Sequence, residues 1–111
     1  MTDYLIIKDG TAEVPNDAAI IIPADGVSSK ELIIQKKNSS GADTDAAVPA
    51  ETIAVMPRFT LLAINKSSEA LSVSGSLSFT VGPDTKRGEV VVVVEDQAGT
   101  LLPRTIRLRF S

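Results

Sequence analysis

The sequence contains no cysteine and no histidine among its 111 residues. Without cysteine there is no disulfide and no thiolate nucleophile, and without histidine the usual proton-transfer group near neutral pH is missing. These two residues are also common ligands of transition metals. A Ser-His-Asp triad is excluded, no Ser–Lys pair stands out among the serines, and no glycine-rich phosphate-binding loop is present. We predict a protein that is not an enzyme and needs no cofactor.

Aromatic residues are almost as scarce, with one Tyr, three Phe and no Trp. Because single-stranded nucleic acids bind by stacking their bases on aromatic rings, nucleic acid is not an expected partner. No apolar run approaches the roughly 20 residues that span a bilayer, and no basic amphipathic helix is present, so no membrane partner is expected. The N-terminal stretch lacks the basic and apolar regions of a signal peptide, which predicts synthesis in the cytoplasm without a secretion signal.

Aliphatic residues, many of them β-branched, dominate the 43% of the sequence that is hydrophobic, and such residues fit pleated sheets. They occur in short runs bounded by turn residues, with no sustained helical period. The predicted strands cover residues 3–8, 18–22, 31–35, 52–56, 58–65, 71–81, 89–95 and 104–110. This spacing predicts an all-β fold: an antiparallel β-sandwich of about seven to eight short strands, forming a single domain over residues 1–111.

Two segments stand out within this pattern. Residues 71–81, LSVSGSLSFTV, alternate between apolar and hydroxyl side chains, which is typical of a strand with one buried and one solvated face. Gly75 falls on the apolar side and indicates a bulge or a close backbone approach. Residues 36–50 are the longest polar stretch and predict a loop; loops of that length are uncommon unless they are functional or disordered.

Five consecutive valines, Val90 to Val94, break the alternation. Successive strand residues point to opposite faces, so Val91 and Val93 lie on the face opposite to the other three valines. Leaving both exposed would forgo roughly 1.5 kcal/mol or more for each. We predict that another subunit covers Val91 and Val93; the alternative is that the 36–50 loop of the same chain folds over them.

Charge is distributed unevenly along a chain of net charge −3. Residues 1–51 carry nine acids and four bases (−5), whereas residues 52–111 carry five acids and seven bases (+2). Three of these bases, Arg104, Arg107 and Arg109, lie close together near the C-terminus. An exposed strand face explains them better than phosphate binding does, and we predict that they contribute to a protein interface together with the two valines.

Acidic residues offer one candidate for metal binding. Asp43 and Asp45 in the polar loop, with Asp84 in the loop at 82–88, have the ligand type that Ca²⁺ prefers. The spacing of an EF-hand is absent, so solvation of the loop is the simpler interpretation. Glu95 and Asp96 are adjacent on a strand and point to opposite faces, which favours a role in the following turn over paired catalysis.

Residues 88–110, GEVVVVVEDQAGTLLPRTIRLRF, resemble the final hairpin of bacterial and phage immunoglobulin-like domains. In those domains a strand of alternating valines ends in Asp, a short turn with Ala-Gly follows, and a β-rich strand closes the sheet. The resemblance implies an immunoglobulin-like sandwich with a binding or structural role, and it supplies no catalytic residue.

Two functions therefore compete. The first is a structural or assembly protein, a small subunit that decorates or cements a larger particle such as a phage virion. Its partners would be copies of itself, making a homo-oligomer, or a larger lattice protein, and its location the virion. The alternative is a free-standing module that recognises a protein or glycan through loops 36–50 and 82–88. The cover of Val91 and Val93 distinguishes the two functions: a neighbouring subunit would favour the assembly protein, and the chain's own loop would favour the binding module.

Overall fold

The computed structural model describes residues 3–58 and 68–111, and every regular element in these two ranges is a β-strand. The strands are β1 Tyr4–Asp9, β2 Ala12–Val14, β3 Ala19–Ile22, β4 Lys30–Lys37, β5 Thr52–Arg58, β6 Ser68–Ala70, β7 Ser76–Val81, β8 Gly88–Asp96 and β9 Arg104–Phe110. The all-β prediction is confirmed.

The strands form two sheets. One has four strands in the order β2-β1-β4-β7, and the other has five in the order β3-β9-β8-β5-β6. All pairs are antiparallel except β3 with β9, which run parallel from Ala19 beside Arg107 to Ile22 beside Phe110. Neither sheet is closed on itself, so the architecture is the predicted sandwich, with one parallel ladder at its margin.

The core lies between the sheets and is almost entirely aliphatic. Strand β7 shows how the sequence builds it, because Leu77, Phe79 and Val81 are buried while the hydroxyl residues between them are only partly so. The same alternation in β9 buries its apolar residues and exposes Arg107 and Arg109. Each strand thereby contributes one apolar face to a shared interior, as sandwich packing requires.

The predicted strand 71–81 is wrong in its first half. Strand β7 begins only at Ser76, and residues 71–75 form a turn in which the Gly75 N–H donates to the Ser72 carbonyl at 2.8 Å. Gly75 has a φ of +78°, and a β-carbon there would lie 2.2 Å from the Thr44 carbonyl oxygen. Val73, predicted to face the core, is 85% exposed. The alternating sequence pattern therefore extends beyond the strand into a turn. The positive φ of Gly75 makes this turn possible.

Other boundaries differ less. The short strand β2 pairs with β1 across a tight turn at Gly10 and was not predicted, since its Ala-Glu-Val sequence carries little apolar signal. The three-residue strand β6, Ser68–Ala70, was not predicted either. The prediction for residues 58–65 lies outside the described residues from 59 onward.

The valine strand has a different surface on each side. Val90, Val92 and Val94 belong to the core between the sheets. On the outer face Val93 is only 8% exposed within the single chain, beside Met56 of β5 and Thr105 of β9, whereas Val91 is partly exposed beside Arg107. Burial of Val93 therefore requires neither a second subunit nor the 36–50 loop, which lies elsewhere.

The loops collect at the two ends of the strands. We call one end the upper pole, formed by residues 38–51, 71–75 and 97–103, and the other the lower pole, formed by 23–29 and 82–87. Strand β4 runs from the lower to the upper pole and, with eight residues, spans roughly 25 Å.

Candidate binding surface at the upper pole

Main-chain hydrogen bonds hold the loops of the upper pole together. The Thr44 N–H donates to the Lys36 carbonyl at 3.1 Å, and the Ala46 N–H donates to the Val73 carbonyl at 3.1 Å. The Leu71 N–H donates to the Glu51 carbonyl at 2.9 Å. These bonds fasten the long loop 38–51 to strand β4 on one side and to the turn 71–75 on the other. The predicted loop is therefore an ordered part of the pole.

A buried ion pair anchors the same loop. The Lys36 ammonium lies 2.5 Å from a Glu51 carboxylate oxygen, and the two side chains are only 8% and 9% exposed. Glu51 also accepts the Ala47 N–H at 2.8 Å, and Lys36 donates to the Asp45 carbonyl at 3.3 Å. Burial raises the pKa of Glu51, but the bonds from Lys36 and Ala47 outweigh it and keep the pKa below its usual value.

Asp96 organises the turn between β8 and β9. Its carboxylate accepts the N–H groups of Ala98 at 3.1 Å and Thr100 at 2.9 Å, together with the Thr100 hydroxyl. Burial raises the pKa of Asp96, yet these bonds, with one from the Leu101 N–H, overcome that effect and leave the pKa lowered. The interpretation of Asp96 as a turn residue agrees with this geometry.

Apolar side chains project from this framework into solvent. Val48 is 100% exposed, Val73 85% and Leu102 55%, and they come from the three different loops of the pole. Only two other large hydrophobic residues in the described ranges are exposed, Ile21 and Val27. Beside Val48 lies an open groove of about 510 Å³, lined by Ala47, Pro49, Ala50, Glu51, Thr52, Asp96, Gln97, Ala98 and Thr100.

This arrangement suits binding rather than chemistry. Scattered exposed hydrophobic residues are ordinary, but three on the loops of one pole make that pole the candidate interaction surface. The ionised groups at the groove, Glu51 and Asp96, already hold hydrogen-bond partners within the chain. The upper pole thus presents exposed apolar side chains on loops that hydrogen bonds and a buried ion pair hold in place.

The metal candidates do not come together. Asp43 pairs with Lys37, their charged atoms 2.5 Å apart, and this bond lowers the pKa of Asp43. The main-chain oxygen of Asp45 accepts the Lys36 ammonium. Asp84 lies at the lower pole, where its carbonyl accepts the Gly26 N–H. Among the residues that the structure describes, no group of three or more potential metal ligands forms.

The three predicted interface arginines do not share one surface. Arg104 lies between the sheets: its guanidinium donates to the carbonyls of Leu5 at 3.3 Å and Val14 at 3.2 Å and lies 3.5 Å from Glu13. It therefore ties β9 to β1 and β2. Arg107 and Arg109 instead lie on the outer face of the five-stranded sheet with Val91.

The two loops proposed to grip one partner are also separated. Loop 36–50 belongs mainly to the upper pole and loop 82–88 to the lower pole, so they face opposite ends of the sandwich. The exposed residues of the upper pole were missed. One signal was present in the sequence: Val48 is an apolar residue within a polar stretch.

Comparison with known proteins identifies a similar fold but no protein family. No protein-family model matches the sequence, and no curated protein matches it. The solved structure titled "D00-D0 domain of Intimin", a bacterial immunoglobulin-like structure, aligns with 100% of this chain and 48% of its own, at a TM-score of 0.63 and 15% identity. The structure of the N-terminal domain of PorA aligns with 96% of this chain and 97% of its own, at a TM-score of 0.47 and 15% identity.

The Intimin match confirms the predicted resemblance to bacterial immunoglobulin-like β-sandwiches. The chain spans about half the length of that Intimin structure. Within residues 3–58 and 68–111, no helix has the length and hydropathy needed to cross a membrane.

Proposed function

We propose that this domain is a non-enzymatic protein-binding module whose contact surface is the upper pole. The observation that carries the proposal is the exposure of Val48, Val73 and Leu102 on three loops that meet at one end of the sandwich. Each side chain would gain roughly 1–3 kcal/mol of hydrophobic stabilisation on full burial. A protein partner supplies the apolar surface that such burial needs.

The rigidity of the pole supports the same function. Binding costs less when the contact loops are already ordered, because less conformational entropy is lost. The Lys36–Glu51 pair and the Asp96 turn order two of the three loops, and Gly75 allows the third to approach Thr44 closely.

Site-specific crosslinking tests the proposal and identifies the partner in the same experiment. A photo-crosslinking amino acid replaces Val48, Val73 or Leu102 in turn, in cells that produce the protein, and the adducts are identified by mass spectrometry. The matched control carries the same amino acid in place of Val27, an exposed valine of the lower pole. We expect one common protein adduct from the three upper positions and none of it from position 27.

Adducts that differ at every position, or the same adduct from position 27, would contradict the proposal. A Val48→Ser, Val73→Ser, Leu102→Ser triple variant should lose the adduct formed from a crosslinker at position 98. Its circular dichroism and melting temperature should remain those of the parent, since all three side chains are exposed.

A second candidate function is the structural role in a larger particle, such as a phage virion. Its support is Val91, which remains partly exposed on the outer face of the five-stranded sheet, where a different surface of the next copy in a head-to-tail contact would cover it. Light scattering over a concentration series tests self-assembly. Val91→Lys should dissolve an oligomer without unfolding the domain, whereas Val93→Lys should destabilise the domain itself because Val93 is buried. A monomer at all concentrations would contradict a homo-oligomer.

A further inference from the structure

The structure also contains an arginine surface distant from the upper pole. We propose that the outer face of the lower halves of β3, β9 and β8, defined by Ile21, Arg109, Arg107, Glu89 and Val91, binds an acidic segment of a protein partner. We call this the arginine face. It is independent of the upper-pole proposal, so either can fail without the other.

A single carboxylate holds both arginines in place. Arg109 donates from Nε and from one terminal nitrogen to the same Glu89 oxygen, at 3.1 and 2.8 Å. A terminal nitrogen of Arg107 lies 4.0 Å from the other Glu89 oxygen. Two positive charges thus share one negative charge. Since a guanidinium has five N–H donors, both arginines retain donors for a further acceptor.

Exposure of these groups permits binding. The side chains of Arg107 and Arg109 are 50% and 52% exposed, whereas that of Arg104, the third arginine of β9, is 12% exposed. Lys86 and Arg87, just before β8, are exposed at the lower end of the same sheet and extend the positive charge. This surface is therefore positive in a chain of net charge −3.

Apolar groups flank the charges. Ile21 is exposed beside Arg109 in the β3–β9 ladder, and Val91 is partly exposed beside Arg107 in the β8–β9 ladder. Arginine combined with aliphatic surface is typical of protein interfaces. A partner that carries carboxylates next to apolar side chains complements both features, and carboxylates match the guanidinium geometry bidentately.

Charge and shape also argue against two other occupants. A second copy placed by a twofold axis on this face would bring two more arginines against the first two, and like charges in close contact are unfavourable. A polyanion such as nucleic acid would satisfy the arginines but leave Ile21 and Val91 facing phosphate. It would also meet Glu89, and the face offers no aromatic ring for stacking.

Fluorescence anisotropy with a labelled peptide of alternating Glu and Leu tests the inference. We expect binding that weakens as salt rises, because exposed charge pairs are screened. Arg107→Gln with Arg109→Gln should weaken it by about tenfold or more, the effect of removing an interface hot spot. A matched control, Lys8→Gln with Lys37→Gln, removes the same charge from the four-stranded sheet and should leave the affinity unchanged.

Several outcomes would overturn the inference. These are equal binding of the peptide to both double variants, equal binding of a Gln and Leu peptide, or stronger binding of heparin or a single-stranded oligonucleotide than of the acidic peptide. The triple serine variant of the upper pole should bind the acidic peptide normally. Loss of binding there would assign the peptide to the upper pole and also contradict the inference.

Discussion

At the upper pole an ion pair and an aspartate turn are buried, whereas the lower pole has the same two features in a more exposed setting. Lys36 and Glu51 above have side chains 8% and 9% exposed; Lys30 and Asp9 below, with charged atoms 2.6 Å apart, have 37% and 35%. Both lysines belong to β4. One strand therefore carries a buried ion pair at one end, which has lost its hydration, and a solvated ion pair at the other.

The turns differ in the same way. Asp96 above is buried, while Asp25 below is exposed and accepts the N–H groups of Val27 at 2.8 Å and Ser28 at 2.7 Å, and the Ser28 hydroxyl. The bonds from Ser28 and Val27 lower the pKa of Asp25 to about 2. The Asp96 hydrogen bonds are thus buried, whereas the equivalent Asp25 hydrogen bonds are exposed to water. Because water can replace the exposed bonds but not the buried ones, the stability of the upper loops depends more strongly on their aspartate.

Breaking the ion pairs should show the largest difference between the poles. Lys36→Met leaves the Glu51 carboxylate buried without its partner, which should cost about 3–5 kcal/mol of unfolding free energy. Lys30→Met removes an exposed pair and should cost at most about 1 kcal/mol. Urea denaturation followed by circular dichroism measures both.

A compensated variant sharpens this result. Lys36→Met with Glu51→Gln removes both charges while the Gln can still accept the Ala47 N–H. It should recover most of the lost stability, because exchanging a whole buried pair for neutral groups is often nearly neutral. If the double variant were as unstable as Lys36→Met, an unpaired charge would not be the cause.

The glycines of the two poles offer the next largest contrast. Gly75 and Gly26 have nearly the same φ, +78° and +75°, so alanine costs each about 1–2 kcal/mol of backbone strain. A β-carbon at Gly75 would also lie 2.2 Å from the main-chain oxygen of Thr44, whereas at Gly26 it meets only the Thr85 methyl group, at 2.9 Å. Gly75→Ala should therefore be the more destabilising by about 1–3 kcal/mol in thermal unfolding. Equal losses of stability would show that loop 38–51 moves to accommodate the added β-carbon at little cost in free energy.

The third largest difference between the poles should come from Asp96 and Asp25, whose carboxylates accept the N–H groups of the turns. Asp96→Ala leaves N–H donors without their acceptor at a partly buried turn and should cost about 1–3 kcal/mol. Asp25→Ala exposes its N–H groups to water, which replaces the lost acceptor, so the loss should be clearly smaller. Urea midpoints at neutral pH compare the two, and an equal loss would mean that water reaches the Asp96 turn.

The smallest expected effect is the response of each turn to acid. Asp96, Glu51 and Asp25 have pKa values below normal in the folded state, so the stability they contribute is complete above their unfolded pKa near 4. It is lost as pH falls through the folded-state values, down to about pH 2 for Asp25. Unfolding free energies should fall less steeply from pH 6 to pH 2 in both Asp25→Asn and Asp96→Asn than in the parent, because each variant lacks a carboxylate whose pKa is lowered by folding. An unchanged slope in both variants would assign the acid sensitivity to other carboxylates.

Local pattern predicted the strands, and long-range contacts account for most of what it missed. Residues 76–81 alternate and form β7 as expected, but the same alternation in 71–75 belongs to a turn, because Gly75 is fitted against Thr44. Arg104 shares the parity of the buried Ile106, and the prediction that grouped it with Arg107 and Arg109 on an exposed face overlooked this signal. Its acceptors on Leu5 and Val14 cannot be identified from its neighbours in the sequence.

The binding surface was harder to predict for the same reason. The exposure of Val48 depends on the Lys36–Glu51 pair and the Ala46–Val73 hydrogen bond, which fix loop 38–51 with its valine outward. An apolar residue in a polar loop is a usable signal, but its companions Val73 and Leu102 come from distant segments that only the fold brings to one end.

The Arg104 bridge has a consequence for how the chain folds. Its guanidinium joins β9 to the carbonyl of Leu5, 99 residues earlier, and β3 finds its parallel partner only in β9. Such non-local pairings pay their loop-closure entropy before they are rewarded, and β-sandwiches of this kind fold in milliseconds to seconds. We therefore expect closure of the two sheets to wait for β9, and until then Ile20 and Ile22 of β3, both buried in the folded domain, lack the strand with which they pair.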